Sequence, residues 1–350
     1  MIELLNSNYP PVVTKFQTFP EAFYSLLQKS SSVKIASGYI SEEAIAELLG
    51  LYNHGLKIEM SLVIGMHYFE GFTVGQYEAL LALAELLNKN RFGSIFLSKV
   101  SKYHGKVYSF SNKKNDYSAI LGSSNLTKIS TSEKVYDTDI LIYNEAINAE
   151  IECFLINLQT KYCRNIQEIN RNEIKIIEPE NLFEDYLDVE KVTETEKTKV
   201  TGALTPIFFD IEIKPEEKSH LNCYHGKGRK TPDGLVRPRP WYESNIMVSK
   251  EITTMPNYPR YMEFIVITDD GYKFKCVTNG DYAKNLRSVG DLQILGRWLK
   301  GRMENKTVLK IDDKVTADTL VRYGRNKIRL TKTSIPDTWY MDFGVNNEQS

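Results

Sequence analysis

The chain has 350 residues, 42% hydrophobic and 25% charged, with a formal net charge of -1; these values sit near globular averages and exclude a disordered, collagen-like or coiled-coil chain. No stretch approaches the ~18 consecutive apolar residues of a membrane span, and Met1-Ile2-Glu3-Leu4-Leu5-Asn6 lacks the basic and apolar regions of a secretion signal. A cytoplasmic protein with no membrane partner is expected. Cys153, Cys163, Cys223 and Cys276 lie far apart, a spacing that suits neither a zinc site nor a disulfide framework, so no metal and no cofactor is expected.

In chain order, residues 31–144 alternate short β-branched runs with helical patterns. Strands are expected at 33–40, 58–64 and 94–97, each followed by turn or cap residues. Ser41 opens a helix, with Glu42 and Glu43 in its first turn and Ile45, Leu48 and Leu49 on one face. A second helix, rich in Ala, Leu and Glu, is expected at 74–87. Three more strands, at 107–111, 117–121 and 139–143, then come almost without helices, and a helix at 146–162 closes the region. The pattern implies an α/β N-terminal domain with a mixed sheet and flanking helices.

From Glu178 to Glu196 eight acidic residues face one lysine, the composition of a linker: either a solvated tether or a phosphate mimic over a basic cleft. Beyond about Thr201 the texture is mainly β, with short alternating runs at 242–248, 261–268, 272–278 and 307–311. Asp269-Asp270-Gly271 and Asn279-Gly280 mark turns between them, and one helix is expected at 291–303; the class is an antiparallel barrel or sandwich. The expected domains are 1–175, an acidic linker at 176–200, and 201–350. Charge divides along the same line, since Lys214 to Leu330 hold 23 Lys+Arg against 14 Asp+Glu. The second half suits a polyanion and the first needs a particular reason to meet one.

The reason is in the motifs. His104-Gly105-Lys106 puts an imidazole and an ammonium two residues apart, on one face of a strand. About a strand and a turn later Gly122-Ser123-Ser124-Asn125 adds neutral donors, and the set is shaped for phosphate. Here the sequence resembles the phospholipase D superfamily, whose signature is His-x-Lys followed by Gly-Ser-x-Asn. Asp116, ten residues after Lys106, is later than that superfamily's aspartate and reads as a structural or turn residue. The superfamily's nuclease branch carries an acidic residue some ten positions past the asparagine; Glu133 and Asp137 compete for that place, and Asp137, directly before the next strand, is favoured.

The resemblance implies a mechanism. His104 attacks phosphorus to give a phosphohistidine, a second, protonated histidine gives its proton to the leaving oxygen and later activates water, and no metal is needed. Lys106 and Asn125 offset charge on the non-bridging oxygens, Ser123 orients its neighbours, and Asp137 or Glu133 holds the imidazole tautomer. The motif occurs once in the chain, so the resemblance further implies a homodimer through the N-terminal domain with two motifs meeting on a two-fold axis.

In the second half, His225-Gly226-Lys227-Gly228-Arg229-Lys230 and Arg237-Pro238-Arg239-Pro240-Trp241-Tyr242 form a basic segment interleaved with glycines and aromatics, suited to phosphates and guanine edges. The stretch from Asn279-Gly280-Asp281 through Lys284-Asn285 to Arg287 follows. This half looks like the C-terminal domain of NgoFVII-type restriction endonucleases, a pseudobarrel related to the plant B-three domain whose two arms enter the major groove. By that resemblance the arms lie near 224–241 and 279–288, with Lys227, Arg229, Lys230, Arg237, Arg239, Trp241, Asn279, Lys284, Asn285 and Arg287 as candidate contacts to double-stranded DNA. Cys223 stands where the family commonly has tryptophan. The whole chain resembles NgoFVII- and BfiI-type restriction endonucleases, which implies a sequence-specific, metal-independent type II enzyme of restriction-modification. The alternative is a catalytically silent DNA-binding protein, or one that depends on a separate ATPase or methyltransferase.

Overall fold

This computed structural model describes residues 1–345, apart from 115, 128, 130–134, 179–181, 184, 185, 187, 232 and 233. The chain forms two compact units, one of residues 1–179 with 228–238, the other of 180–227 with 239–350. The expected linker stretch, from 180 on, contributes to the second of them.

In the first unit the elements run β1 (Ile2–Asn6), α1 (Phe19–Lys29), β2 (Ser32–Ser37), α2 (Glu42–Asn53), β3 (Glu59–Ile64), α3 (His67–Glu70), α4 (Val74–Asn90), β4 (Gly93–Ser98), β5 (Lys106–Ser111), β6 (Tyr117–Gly122), β7 (Thr138–Ile142), α5 (Glu145–Tyr162) and β8 (Cys163–Asn165). The strands form one sheet in the order β1-β7-β6-β5-β2-β3-β4-β8. β2, β3 and β4 are parallel neighbours, and every other pair is antiparallel. The sheet is mixed, as the alternation of runs and helices implies.

Local chemistry sets the helix starts. Ser41 accepts from the Ala44 amide at 3.1 Å. Thr73 and Gln76 cap α4 reciprocally, amide to side chain, at 3.1 and 3.0 Å, and each such cap contributes about 1 kcal/mol. α1 has the same reciprocal cap between Thr18 and Glu21, and it buries Phe23 edge-on against Tyr108 and Phe110. On the other face Ile151, Leu155 and Leu158 of α5 pack on Ala36, Val63, Val107 and Ala119. Covered on both sides, β2 and β3 bury Ile35, Ala36, Leu62, Val63 and Ile64, while Lys34 of β2 pairs with Glu152.

In the second unit the elements are β9 (Glu190–Lys191), α6 (Glu194–Gly202), β10 (Leu204–Glu212), β13 (Ile246–Met247), α7 (Lys250–Thr253), β14 (Glu263–Thr268), β15 (Tyr272–Asn279), β16 (Asn285–Ser288), α8 (Ile294–Asn305), α9 (Ala317–Tyr323), β17 (Lys327–Thr333) and β18 (Thr338–Asp342). The strands between, β11 (Arg229–Lys230) and β12 (Val236–Arg237), pair with each other as a short hairpin that belongs to the first unit. The main sheet runs β10-β17-β18-β14-β15-β16-β13, with β9 also on β15. It curls into a half-barrel of the B-three-like kind.

Two expectations are corrected here. Residues 307–311 form no strand: Thr307 takes the left-handed region (φ 56), its amide closes α8 on the Glu304 carbonyl at 2.8 Å, and Leu309 and Ile311 are buried from a loop. Of 242–248 only Ile246–Met247 forms a strand, paired with β16, beside an isolated bridge of Asn245 to His220. The acidic stretch brings Phe183 and Val192 into the core, Phe183 edge-on to Tyr272 at 4.8 Å and Val192 against Ile267. Its charge count conceals these apolar anchors.

Candidate active site

The sheet order brings the two motifs together. β5 and β6 are antiparallel with Val107 opposite Leu121, so the start of β5, carrying His104 and Lys106, lies beside the end of β6, where Gly122-Ser123-Ser124-Asn125 turns away. On the other side of β5 the end of β2 runs alongside, with Ser37 opposite Lys106 and the Gly38 amide donating to the Gly105 carbonyl at 3.1 Å. One end of one sheet therefore collects His104, Lys106, Ser123 and Asn125.

His104 is exposed and Lys106 half-buried, so the site opens at the surface. The Lys106 ammonium donates to the His104 carbonyl at 2.8 Å and lies 3.4 Å from each ring nitrogen. Burial pulls the Lys106 pKa below the usual lysine value, while the Asp137 carboxylate acts in the opposite direction. Asn125 takes the Tyr39 amide on its side-chain oxygen at 3.2 Å, which leaves the carboxamide nitrogen as the donor end.

The serine turn is held by two aspartates. Ser123 donates to Asp137 at 2.5 Å, and its oxygen accepts the Thr138 amide at 3.0 Å. Asp137 thus holds Ser123, and no hydrogen bond joins it to His104 among the described contacts. Asp139, passed over by the sequence reading, accepts from both the amide and the hydroxyl of buried Ser124, at 3.1 and 2.6 Å, while Tyr108 donates to the Ser124 carbonyl at 2.8 Å. Burial pushes the Asp139 pKa up, and its bonds to Ser124 pull it back. Gly122 is required here because a Cβ would collide with the Asp139 carboxylate. Period two along β7 makes Asp139, like Leu141, an inward position, which is the signal that marks it. Glu133 lies outside the described residues. Asp116 bonds Asn112 at 3.0 Å in the turn before β6, as a turn residue does.

The candidate DNA contacts divide between the units. Arg229, Lys230 and Arg237 lie on the hairpin of the first unit, Arg229 and Lys230 exposed and the Arg237 guanidinium 4.2 Å over the Tyr24 ring. In the second unit Lys227 is exposed, and Arg239 is half-buried in an ion pair with Glu243. Asn279, Lys284, Asn285 and Arg287 lie on and around the β15–β16 turn. With its amide oxygen turned to Arg287, Asn279 accepts from Nε at 3.1 Å and Nη2 at 2.5 Å, and Lys284 pairs with Asp281 at 3.4 Å. Tyr282 at the same turn is missed by the sequence reading: it is exposed in the left-handed region, with the Lys250 ammonium 4.5 Å from its ring.

Trp241 is a correction. It is 1% exposed, donates from Nε1 to Glu304 at 2.7 Å, and carries the fully buried Lys300 ammonium 3.4 Å from its ring. Its aromatic ring is core, and its place beside basic residues in the sequence does not bring it to the surface.

The comparisons with known proteins match the two halves of the chain separately. Residues 18–171 match the family model of the NgoFVII restriction endonuclease N-terminal PLD domain, and residues 199–334 that of the NgoFVII C-terminal B3-like DNA-binding domain. No curated protein matches the sequence. Similar solved structures include polyphosphate kinase from Porphyromonas gingivalis (13% identity, 50% of this chain and 24% of that one, TM-score 0.35). Two others are the phospholipase D family member Nuc from Salmonella typhimurium (16%, 47% and 97%, 0.32) and NucT from Helicobacter pylori (15%, 47% and 99%, 0.30). This chain thus spans about a quarter of the kinase and nearly all of the other two. These low scores carry no weight in the assignment, which rests on the two family models. On both halves the chain belongs to the NgoFVII-type restriction endonucleases, DNA endonucleases that join a phospholipase-D-type nuclease domain to a B3-like DNA-binding domain.

Proposed function

We propose that this chain is a sequence-specific type II restriction endonuclease that hydrolyses double-stranded DNA without a metal ion, in a site made by two copies of the chain. His104 attacks phosphorus; the N–P bond forms as the P–O bond to the leaving oxygen breaks. That oxygen takes its proton from His104 of the second copy. The same imidazole then removes a proton from water, whose oxygen displaces the His104 nitrogen from phosphorus. Lys106 and the Asn125 amide face the non-bridging oxygens. The basic groups on the β11–β12 hairpin and around the β15–β16 turn contact phosphates and base edges.

The observation that carries the two-copy reading is the engagement of the other histidines of the first unit. One imidazole cannot become bonded to phosphorus and protonate the leaving oxygen in the same step. His67 is buried with both ring nitrogens in use, on the Gly71 carbonyl at 2.9 Å and the Ile40 amide at 3.2 Å. His54 is held by the Gly50 carbonyl at 2.7 Å. With those two engaged, the proposed reaction takes its second imidazole from another His104.

Plasmid DNA incubated with the protein in excess EDTA, beside His104→Ala, tests the reading. Discrete fragments from the wild type only, together with site-specific binding retained by the variant, are expected. Cutting by His104→Ala overturns the mechanism, and intact DNA with specific retention in a gel shift points to a silent or partner-dependent reader. Sedimentation of the free protein reads the copy number directly.

A further inference from the structure

Tyr39 directly follows the close approach of β2 to the His104 segment, and three of its groups are committed. Its amide donates to the Asn125 side-chain oxygen at 3.2 Å. Its ring meets the His104 imidazole edge to face, centroids 5.6 Å apart at 81°. Its hydroxyl donates to Glu70 at 2.9 Å, and Glu70 is paired with Lys102 at 3.0 Å. Behind it stands His67, whose ring meets Tyr39 at 5.6 Å and 86° and stacks on buried Phe72 at 4.9 Å. With both nitrogens satisfied, His67 is a rigid backing. Gly38 makes the approach possible, since a Cβ there would sit 3.2 and 3.3 Å from the His104 Cα and Cδ2.

We propose that Tyr39 is a positioning residue of the nuclease site, whose amide aims the Asn125 carboxamide and whose ring, anchored by Glu70 and backed by His67, holds the rotamer of His104. The inference rests on the reading of His104 and Asn125 as the groups that meet the phosphate. An exposed imidazole on a loop samples several rotamers, and a wall on one side removes those that turn the reacting nitrogen away. Such alignment matters because a misplacement of about 1 Å lowers rate on the order of 10²-fold. The hydroxyl remains a donor, since the bond to Glu70, burial and the carboxylate charge all raise the Tyr39 pKa.

The experiment compares Tyr39→Leu and Tyr39→Phe in the full chain by single-turnover DNA cleavage, by gel-shift binding, and by NMR relaxation of labelled histidine rings without DNA. Tyr39→Leu is expected to cut on the order of 10²-fold more slowly, to bind its site as the wild type does, and to show an averaged His104 ring. Tyr39→Phe keeps the wall and recovers most of the rate. Cleavage by Tyr39→Leu within threefold of wild type overturns the proposal, as does a His104 ring equally ordered in both proteins. If the wild type itself fails to cut, the nuclease reading fails while the ring measurement still decides this one. Should Tyr39→Leu not fold, Tyr39→Met, which keeps apolar bulk without a flat ring, must raise the mobility of the His104 ring; an unaltered ring in that variant refutes the role.

Discussion

Replacing Asp139 separates what its shape does from what its charge does. In Asp139→Ala, the Ser124 amide and hydroxyl lose their acceptors at a residue only 6% exposed. Each orphaned buried group costs about 1–3 kcal/mol, and water entering the vacated space returns part of it, for a net loss of about 2–4 kcal/mol. Asp139→Asn keeps the pairing: its oxygen takes the amide, and its nitrogen donates to a Ser124 hydroxyl turned to accept. Its cost should stay within about 1 kcal/mol. Hydrogen exchange at the Ser124 amide is the assay, and Ala should accelerate it about 30- to 1,000-fold, at 1.36 kcal/mol per tenfold. Exchange in Asp139→Asn should remain near that of the wild type. pH adds a second reading. Burial holds the folded pKa of Asp139 above its ordinary value, so its contribution to stability is full below about pH 4 and is lost as pH rises through the folded pKa. Asp139→Asn has no such loss and gains on the wild type as pH is raised from about 4. The clamp argument fails if Asn accelerates exchange as much as Ala, or if Ala leaves it unaltered.

Gly38→Ala should push the His104 segment by a few tenths of an ångström, with its Cβ 3.2 Å from the His104 Cα; slower single-turnover cleavage with unimpaired DNA binding is expected, and equal rates refute it. Trp241→Ala should cost about 3–5 kcal/mol of stability in the second unit, read by urea denaturation, because its ring is core; a stable variant that merely loses DNA affinity would return it to the recognition arm. Lys300→Met should flatten a pH dependence. Burial depresses the Lys300 pKa, so the wild type has the full contribution above the usual lysine value of about 10.4 and loses it as pH falls through the folded value. All three tryptophans lie in the second unit, so their fluorescence follows this unfolding, and an identical slope in both proteins would refute the assignment.

The first unit was largely legible because its information is local. Its parallel strands carry short apolar stretches, Ile35-Ala36, Leu62-Val63-Ile64 and Ile95-Phe96-Leu97, and Ser41 announces a helix before its first turn. His-x-Lys and Gly-Ser-x-Asn could be paired from the sequence because a hairpin of strands joins them. Hidden there are the short β1, α3 and β8 and also α1, whose Phe19 and Phe23 mark a face only once Tyr108 and Phe110 are seen beneath it. In the second unit β10, β17 and β18 went unexpected although Lys327-Ile328-Arg329-Leu330 alternates; the partners of β17 are distant on one side and near on the other, and no local rule gives the order. Trp241 misled for a related reason. Neighbouring arginines argue for a surface, whereas the residues that bury it, Lys300 and Glu304, come some 60 positions later.

Carboxylates around a phosphate site are the arrangement that most needs explaining, since Asp137, Asp139 and Glu70 all stand close to groups assigned to meet an anion. Each has its donors already. Asp137 takes the Ser123 hydroxyl, Asp139 the amide and hydroxyl of Ser124, and Glu70 the Tyr39 hydroxyl and the Lys102 ammonium. A carboxylate engaged by strong donors holds them in direction, and the charge it adds is partly offset where it stands: by Lys106 near Asp137 and by Lys102 at Glu70. The groups left facing outward are then the imidazole, the ammonium and the carboxamide nitrogen. The acidic side chains thus hold the serine turn and Tyr39 in place, and on the proposed reading the imidazole, the ammonium and the carboxamide nitrogen are what meets a phosphate, although the protein as a whole carries a net charge of -1.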